Sequence, residues 1–150
     1  MKKAKLFTIG YEGRDIDNLV SYLKTFNITR LIDIREIPIS RKKGFSKSQL
    51  MKHLESADIE YIHIKQLGSP SILRHQLKDD HDYAKFFSAY TNYLEAKHDL
   101  LMQLNDEISD KITCLMCFER LQQYCHRSIV ANKIKEYNKN NLEIIHIWEF

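Results

Sequence analysis

Five short runs rich in Ile, Leu, Thr and Phe punctuate the chain, and stretches with apolar residues at helical spacing separate them. The runs are KLFTIG (5–10), RLIDIRE (30–36), EYIHIKQL (60–67), KITCLMC (111–117) and LEIIHIWEF (142–150). Between the first two, Ile16, Leu19, Val20, Leu23 and Phe26 recur every three or four residues behind Asp15, a residue suited to capping a helix. Leu50, Leu54 and Ala57 share one face behind Ser46, a second candidate cap. A long helical region runs from about Tyr83 to Ile108 with Phe86, Phe87, Tyr90, Leu94, Leu101, Leu104 and Ile108 near one stripe, breaking around Lys97 to Asp99. Val130, Ile134 and Tyr137 mark a last helix.

Such alternation restricts the chain to an α/β fold: a mostly parallel five-stranded sheet flanked by helices, in three α/β/α layers. The 150 residues are expected to form a single domain over 1–150, large enough to bury a core without staples. There is no linker, repeat or low-complexity segment. The least patterned stretch is LGSPSILRHQLKDDHD (67–82), too polar for core and expected as a functional loop.

No apolar run approaches the roughly 20 residues of a membrane span, and the apolar piece after MKKAK is too short for a secretory signal core. No membrane association and a cytoplasmic location are expected. Three cysteines, an odd number, argue against a disulfide framework and agree with a reducing compartment. A net charge of +3 does not by itself mark a nucleic-acid binder; only a local cluster would.

Ligands of open parallel sheets sit beyond the carboxyl ends of the strands. That rule selects CFERLQQYCHRSIV (117–130), where Cys117, Glu119, Cys125, His126 and Arg127 crowd between the fourth strand and the last helix. A helix N-terminus beside Arg127 favours an anion and lowers a cysteine pKa, so an anion pocket or a reactive Cys125 thiolate follows; the plainer alternative is a core cysteine and a solvated arginine. The C-x-x-C spacing of Cys114 and Cys117 misleads, because residues three apart on a strand face opposite ways. Cys114 then belongs to the core, and Cys117 pairs better with Cys125. Zinc would need two further ligands, such as His126 with His63 or His146, at spacings that match no standard site; no metal and no cofactor is required by the sequence, and zinc stands as an alternative.

Phosphate-handling signatures are absent. No Walker loop occurs, and GYEG is not a dinucleotide fingerprint. A cysteine phosphatase would carry an arginine six residues after its nucleophile, where this chain has Ala131 or Gln123. The second strand ends in DIREIPISRKKGF (33–45), with Asp33 and Arg35 on one face: an ion pair, or a catalytic carboxylate beside an anion-binding arginine. Arg41, Lys42, Lys43 and Lys47 form a basic cluster that is either solvated surface or a set of phosphate contacts. His63 and His146 read as satisfied strand histidines. Tyr61, Tyr83, Tyr90, Tyr93 and Tyr124 either stack a base or pack the core.

Several of these segments together resemble a known family. TIG (8–10), DIREIPIS (33–40), YIH (61–63) with LG (67–68), CFE (117–119) and CHRS (125–128) are similar to the motifs of the family catalogued as domain of unknown function 488. The resemblance spans nearly the whole chain and implies a small α/β protein with a site on Asp33, Arg35, Pro38, Ser40, Tyr61, His63, Gly68, Cys117, Glu119, Cys125, His126 and Arg127. Tyr11 and Glu12 depart from it, standing where many members have a histidine and a serine. No settled activity comes with the family. The residues themselves lead to an expected phosphate-bearing partner, a nucleotide or nucleic acid. Arg35, Arg127 and Arg41 would hold the anion, while Glu119, Cys125, His126 and Asp33 would serve as catalytic groups in a hydrolase or transferase. Lys42, Lys43 and Lys47 are weaker contacts. The competing classes are a non-catalytic nucleic-acid binding module and a thiol or zinc protein.

Overall fold

A computed structural model of the chain describes residues 4–139 and 141–149. The elements follow one another as β1 (Ala4–Gly10), α1 (Ile16–Thr25), β2 (Arg30–Asp33), α2 (Lys47–Ser56), β3 (Glu60–His63), α3 (Ser71–Asp80), α4 (Tyr83–Glu95), α5 (His98–Glu107), β4 (Thr113–Cys117), α6 (Arg127–Tyr137) and β5 (Leu142–Ile147). Single 3-10 turns lie at Lys65–Leu67 and Gln122–Tyr124. The five strands form one sheet in the order β3-β2-β4-β1-β5, and every pairing is parallel.

Strand alternation sorts the core into two layers. Phe7, Ile9, Leu31, Cys114 and Met116 pack with Leu19 and Leu23 of α1 and Leu50 and Leu54 of α2. Leu6, Ile32, Leu115 and Cys117 face the other way, against Tyr90, Leu94, Leu101, Leu104, Val130 and Ile134 of α4, α5 and α6. Cys114 and Cys117 thus lie on opposite faces. Asp15 caps α1, its carboxylate accepting from Asn18 N at 2.7 Å. Ser46 precedes α2 without capping it through its side chain; its hydroxyl instead donates to Ser40 O and accepts from Ser40 N, closing the preceding loop.

Two differences from the sequence reading have physical causes. Segment 67–82 carries α3, and it is a helix with no buried residue, so it writes no apolar stripe into the sequence. The strands are also shorter than their apolar runs: β2 stops at Asp33, β3 at His63 and β5 at Ile147. The apolar residues beyond, such as Ile34 and Leu67, pack the core from loops and turns. The long helical stretch does break, into α4 and α5, on either side of Ala96 and Lys97. Phe150, included in the last run, lies outside the described residues.

The connections fix where a site can form. From β1 the chain crosses to α1 on one face, whereas from β4 it crosses to α6 on the other; β1 and β4 are neighbours. Diverging connections at adjacent strands leave a crevice at their carboxyl ends. Gly10 ends β1 there because a side chain would run into the carbonyl of Glu119, so only glycine lets the segment after β4 lie against the end of β1.

Candidate functional site

A cleft of about 380 Å³ opens at this crevice. Arg35, Arg74, Lys78 and His81 bring positive or titratable groups, Glu36 and Glu119 bring carboxyls, and Tyr11, Tyr83, Phe86, Phe118 and Tyr124 supply aromatic surface. Cys117, His126 and Ser69 are its buried lining, and Leu77 and the exposed Ile37 lie nearer its rim.

Arg35 is held by a buried scaffold. Its Nε and one terminal nitrogen donate to the two Asp33 oxygens at 2.9 and 2.7 Å, and its backbone N–H donates to the same carboxylate at 3.1 Å. Tyr61 donates its hydroxyl to Asp33 at 2.6 Å, and a His63 Nε2–H donates to Arg35 O at 2.7 Å. Asp33 is wholly buried and takes four donors, so it orients the arginine and has no room to accept a proton from a substrate. Burial alone would lower the Arg35 pKa, but the hydrogen bonds and charge of Asp33 reverse this and hold the guanidinium above its ordinary value. The remaining terminal nitrogen reaches the Tyr11 hydroxyl at 3.4 Å, and the guanidinium lies 5.3 Å from the Tyr11 ring. Tyr11 stacks on Phe45 at 4.6 Å and meets Phe118 edge-on at 5.3 Å, and it forms part of the cleft wall.

Arg127 lines no part of the cleft. Its side chain is fully buried, its terminal nitrogens donate to the Glu119 and Arg120 carbonyls and to Cys117 Sγ, and its Nε donates to Thr8 Oγ1 at 3.2 Å. Burial lowers its pKa to about 10. Thr8 Oγ1 is also hydrogen-bonded to His146 Nδ1 at 2.6 Å. Arg127 therefore fastens the segment after β4 to the sheet, and the guanidinium expected from the sequence to hold an anion is engaged by these protein groups.

His126 donates from Nε2 to the Ile34 carbonyl at 2.9 Å, which leaves the Nδ1 lone pair turned to Cys125 Sγ at 3.7 Å. Burial lowers its pKa to about 4, so the ring is neutral near pH 7. Cys117 and Cys125 are joined Sγ to Sγ, their Cα atoms 7.3 Å apart, whereas the odd cysteine count had argued only against a disulfide framework. Glu119 brings Oε2 to 3.6 Å from Cys117 Sγ, and burial pushes its carboxyl above the ordinary range, against the pull of its own backbone hydrogen bond and of Arg127.

The family model described as Domain of unknown function DUF488 matches residues 15–134, running from the cap of α1 into α6 and through both halves of this site. The chain belongs to this family. No curated protein and no solved structure matches it significantly. Among the described residues of this DUF488 chain, no helix is long and apolar enough to cross a membrane.

The fold brings Arg35, Cys117, Glu119 and His126 to one cleft, with Asp33, Tyr61 and His63 behind Arg35 and Cys125 and Arg127 behind the β4 segment. The basic cluster lies elsewhere. Lys42 is tied down, donating to Arg14 O at 2.6 Å, while Arg41, Lys43 and Lys47 are exposed and line no part of the cleft. Ser40 accepts from Lys42 N at 3.1 Å and shapes the same loop. Sequence reasoning missed Glu36, Ser69, Arg74, Lys78 and Phe118. Arg74 donates to Ser69 O and, at 3.1 Å, to Glu36 Oε1, and these residues come mostly from the polar stretch 67–82, whose length was the one available signal.

Proposed function

We propose that the DUF488 cleft binds a nucleotide, free or as part of a nucleic acid, and acts on it with Glu119 as the proton-transferring group. The observation that carries this reading is the meeting, in one cleft, of a fixed guanidinium at Arg35 with the aromatic surface of Tyr11, Phe118, Tyr83 and Tyr124. A guanidinium locked by a carboxylate presents its remaining N–H groups at little conformational cost, which suits a phosphate oxygen. Arg74 and Lys78 extend the positive wall towards solvent. Aromatic faces stack any base, so the class of ligand fits without base-specific contacts. Glu119, half-buried and raised in pKa by that burial, suits proton transfer in a hydrolase or transferase. Asp33 serves as the orienting partner of Arg35, and a neutral His126 with Nε2 engaged at Ile34 orients rather than shuttles.

Titration of the full chain with nucleoside mono-, di- and triphosphates and with short single-stranded oligonucleotides tests this. Arg74→Ala with Lys78→Ala should weaken binding about tenfold or more, and Glu119→Gln should bind but fail to convert the ligand. Absence of binding by every phosphate-bearing ligand at millimolar concentration would rule the reading out. The exposed positions of Arg41, Lys43 and Lys47 support a second reading, a non-catalytic nucleic-acid module. That module would bind with a steep salt dependence, lose affinity in the Arg41, Lys43 and Lys47 alanine variant, and be indifferent to Glu119→Gln.

A further inference from the structure

We propose that reduced Cys117 and Cys125, together with His126 Nδ1, form a zinc site whose fourth coordination position opens to the cleft. The three ligand atoms lie within 4.8 Å of one another, and each residue is buried. Two soft sulfurs and an imidazole nitrogen form a donor set that selects zinc over the oxygen-preferring divalent ions. His126 is already in the ligand tautomer, because its Nε2–H donates to the Ile34 carbonyl at 2.9 Å and aims the Nδ1 lone pair at the sulfurs. Tetrahedral zinc, with bonds of about 2.3 Å to sulfur and about 2.0–2.1 Å to nitrogen, separates such ligands by about 3.6 Å. Cys125 Sγ and His126 Nδ1 stand 3.7 Å apart.

The surroundings favour thiolate charge at both sulfurs. Arg127 donates to Cys117 Sγ from its guanidinium at 3.1 Å and to Cys125 Sγ from its backbone N–H at 3.5 Å. Although its side chain is fully buried, Arg127 has no carboxylate within salt-bridge distance among the described residues. A buried cation is stabilised by an anionic partner, and beside the neutral Thr8 hydroxyl and the Glu119 and Arg120 carbonyls its guanidinium touches Cys117 Sγ, a group that can carry charge. The Cα atoms of Cys117 and Cys125, 7.3 Å apart, exceed the roughly 4.4–6.8 Å span of bridged pairs, so the side chains can part around an ion once the bond between the sulfurs is reduced. Cys117 and His126 line the cleft, so the open position faces it, with Glu119 Oε2 3.6 Å from Cys117 Sγ beside that opening. Metal loading starts from the reduced pair: a thiol reductant supplies two electrons and two protons to the joined sulfurs, and zinc then displaces the two thiol protons. This site does not depend on the nucleotide reading, and its test contains no nucleotide.

The full chain, stripped of metal in excess phosphine reductant, should titrate as three free thiols when denatured and bind one equivalent of Zn²⁺ when folded. Co²⁺ in its place should give tetrahedral visible bands and a sulfur-to-cobalt charge-transfer band. Cys117→Ser and Cys125→Ser should each weaken zinc binding by about 100-fold or more and diminish that band, while Glu119→Gln keeps the stoichiometry. A reduced native protein that gives no tetrahedral cobalt spectrum overturns the proposal without recourse to variants. So does a sulfur pair that stays joined in excess reductant, or one-equivalent binding that survives both serine substitutions.

Discussion

Asp33 and Arg35 form a two-pronged ion pair at the end of β2, with N···O distances of 2.9 and 2.7 Å and both side chains almost wholly out of solvent. The pair is built locally, because Arg35 folds back over the strand end it has just left and donates its own backbone N–H to the same carboxylate. Asp33→Asn keeps the shape but strands a buried guanidinium without its charge partner. Breaking such a pair costs about 3–5 kcal/mol, so urea denaturation should show a loss of that size. Arg35→Lys should not restore the pair, since an ammonium cannot fork across two oxygens. A loss below about 1 kcal/mol in Asp33→Asn would mean that the carboxylate does not fix Arg35.

Gly10→Ala tests the close approach of the β4 segment to the end of β1. The added methyl group would fall inside the Glu119 carbonyl, and backbone cannot yield as a flexible side chain does. Overpacking of this kind costs about 1–3 kcal/mol or more. Because the displaced residue is Glu119 itself, the variant should also alter ligand binding at the cleft. Thermal unfolding reads the first effect and equilibrium titration the second, and an unperturbed variant would show that the two segments can part freely.

The Glu36 carboxylate ties the loop after β2 to α3, accepting from Ser71 Oγ at 2.6 Å and from Arg74 at 3.1 Å. The Ser71 hydrogen bond is the main cause of its lowered pKa, opposed by burial and helped by Arg74. A carboxyl whose pKa is depressed by folding contributes stability above its unfolded value of about 4.3, and that contribution fades as pH falls through the depressed folded value. Glu36→Gln should therefore be less stable than the native chain at pH 7, by up to about 1 kcal/mol for a partly solvated pair, with the gap closing below the carboxylate range. A gap independent of pH would assign the difference to packing rather than charge.

The parts of this fold that the sequence announces are those with a buried stripe. β1, β4 and the helices that carry Leu19, Leu50, Tyr90 and Ile134 alternate or recur as their burial demands. α3 contributes no buried residue, so nothing in its pattern separates it from a polar loop, and the cleft residues that it carries stayed hidden with it. The strand-end rule found Arg35, Cys117, Glu119 and His126, because topology alone forces strand ends together. It could not assign roles. Whether Arg127 points into a cleft or under a loop depends on where the Glu119 and Arg120 carbonyls lie, and sequence spacing carries no trace of them.

Lys42 should separate from Arg41 and Lys43 of the basic cluster on substitution. Lys42 spans from its loop to the turn after β1, donating to Arg14 O at 2.6 Å and to Tyr11 O at 3.4 Å, with its ammonium 5.7 Å from the Phe45 ring centre. Hydrogen bonds from charged donors contribute about 1.5–3 kcal/mol, and partial exposure places Lys42 at the low end of that range. Arg41 and Lys43 are exposed, and substitutions at such positions stay within about 0.5 kcal/mol. Lys42→Ala should lower the denaturation midpoint and loosen the Tyr11 wall of the cleft, while Arg41→Ala with Lys43→Ala leaves both unchanged. Equal losses in the two variants would show that net charge, rather than the Lys42 bridge, stabilises this loop.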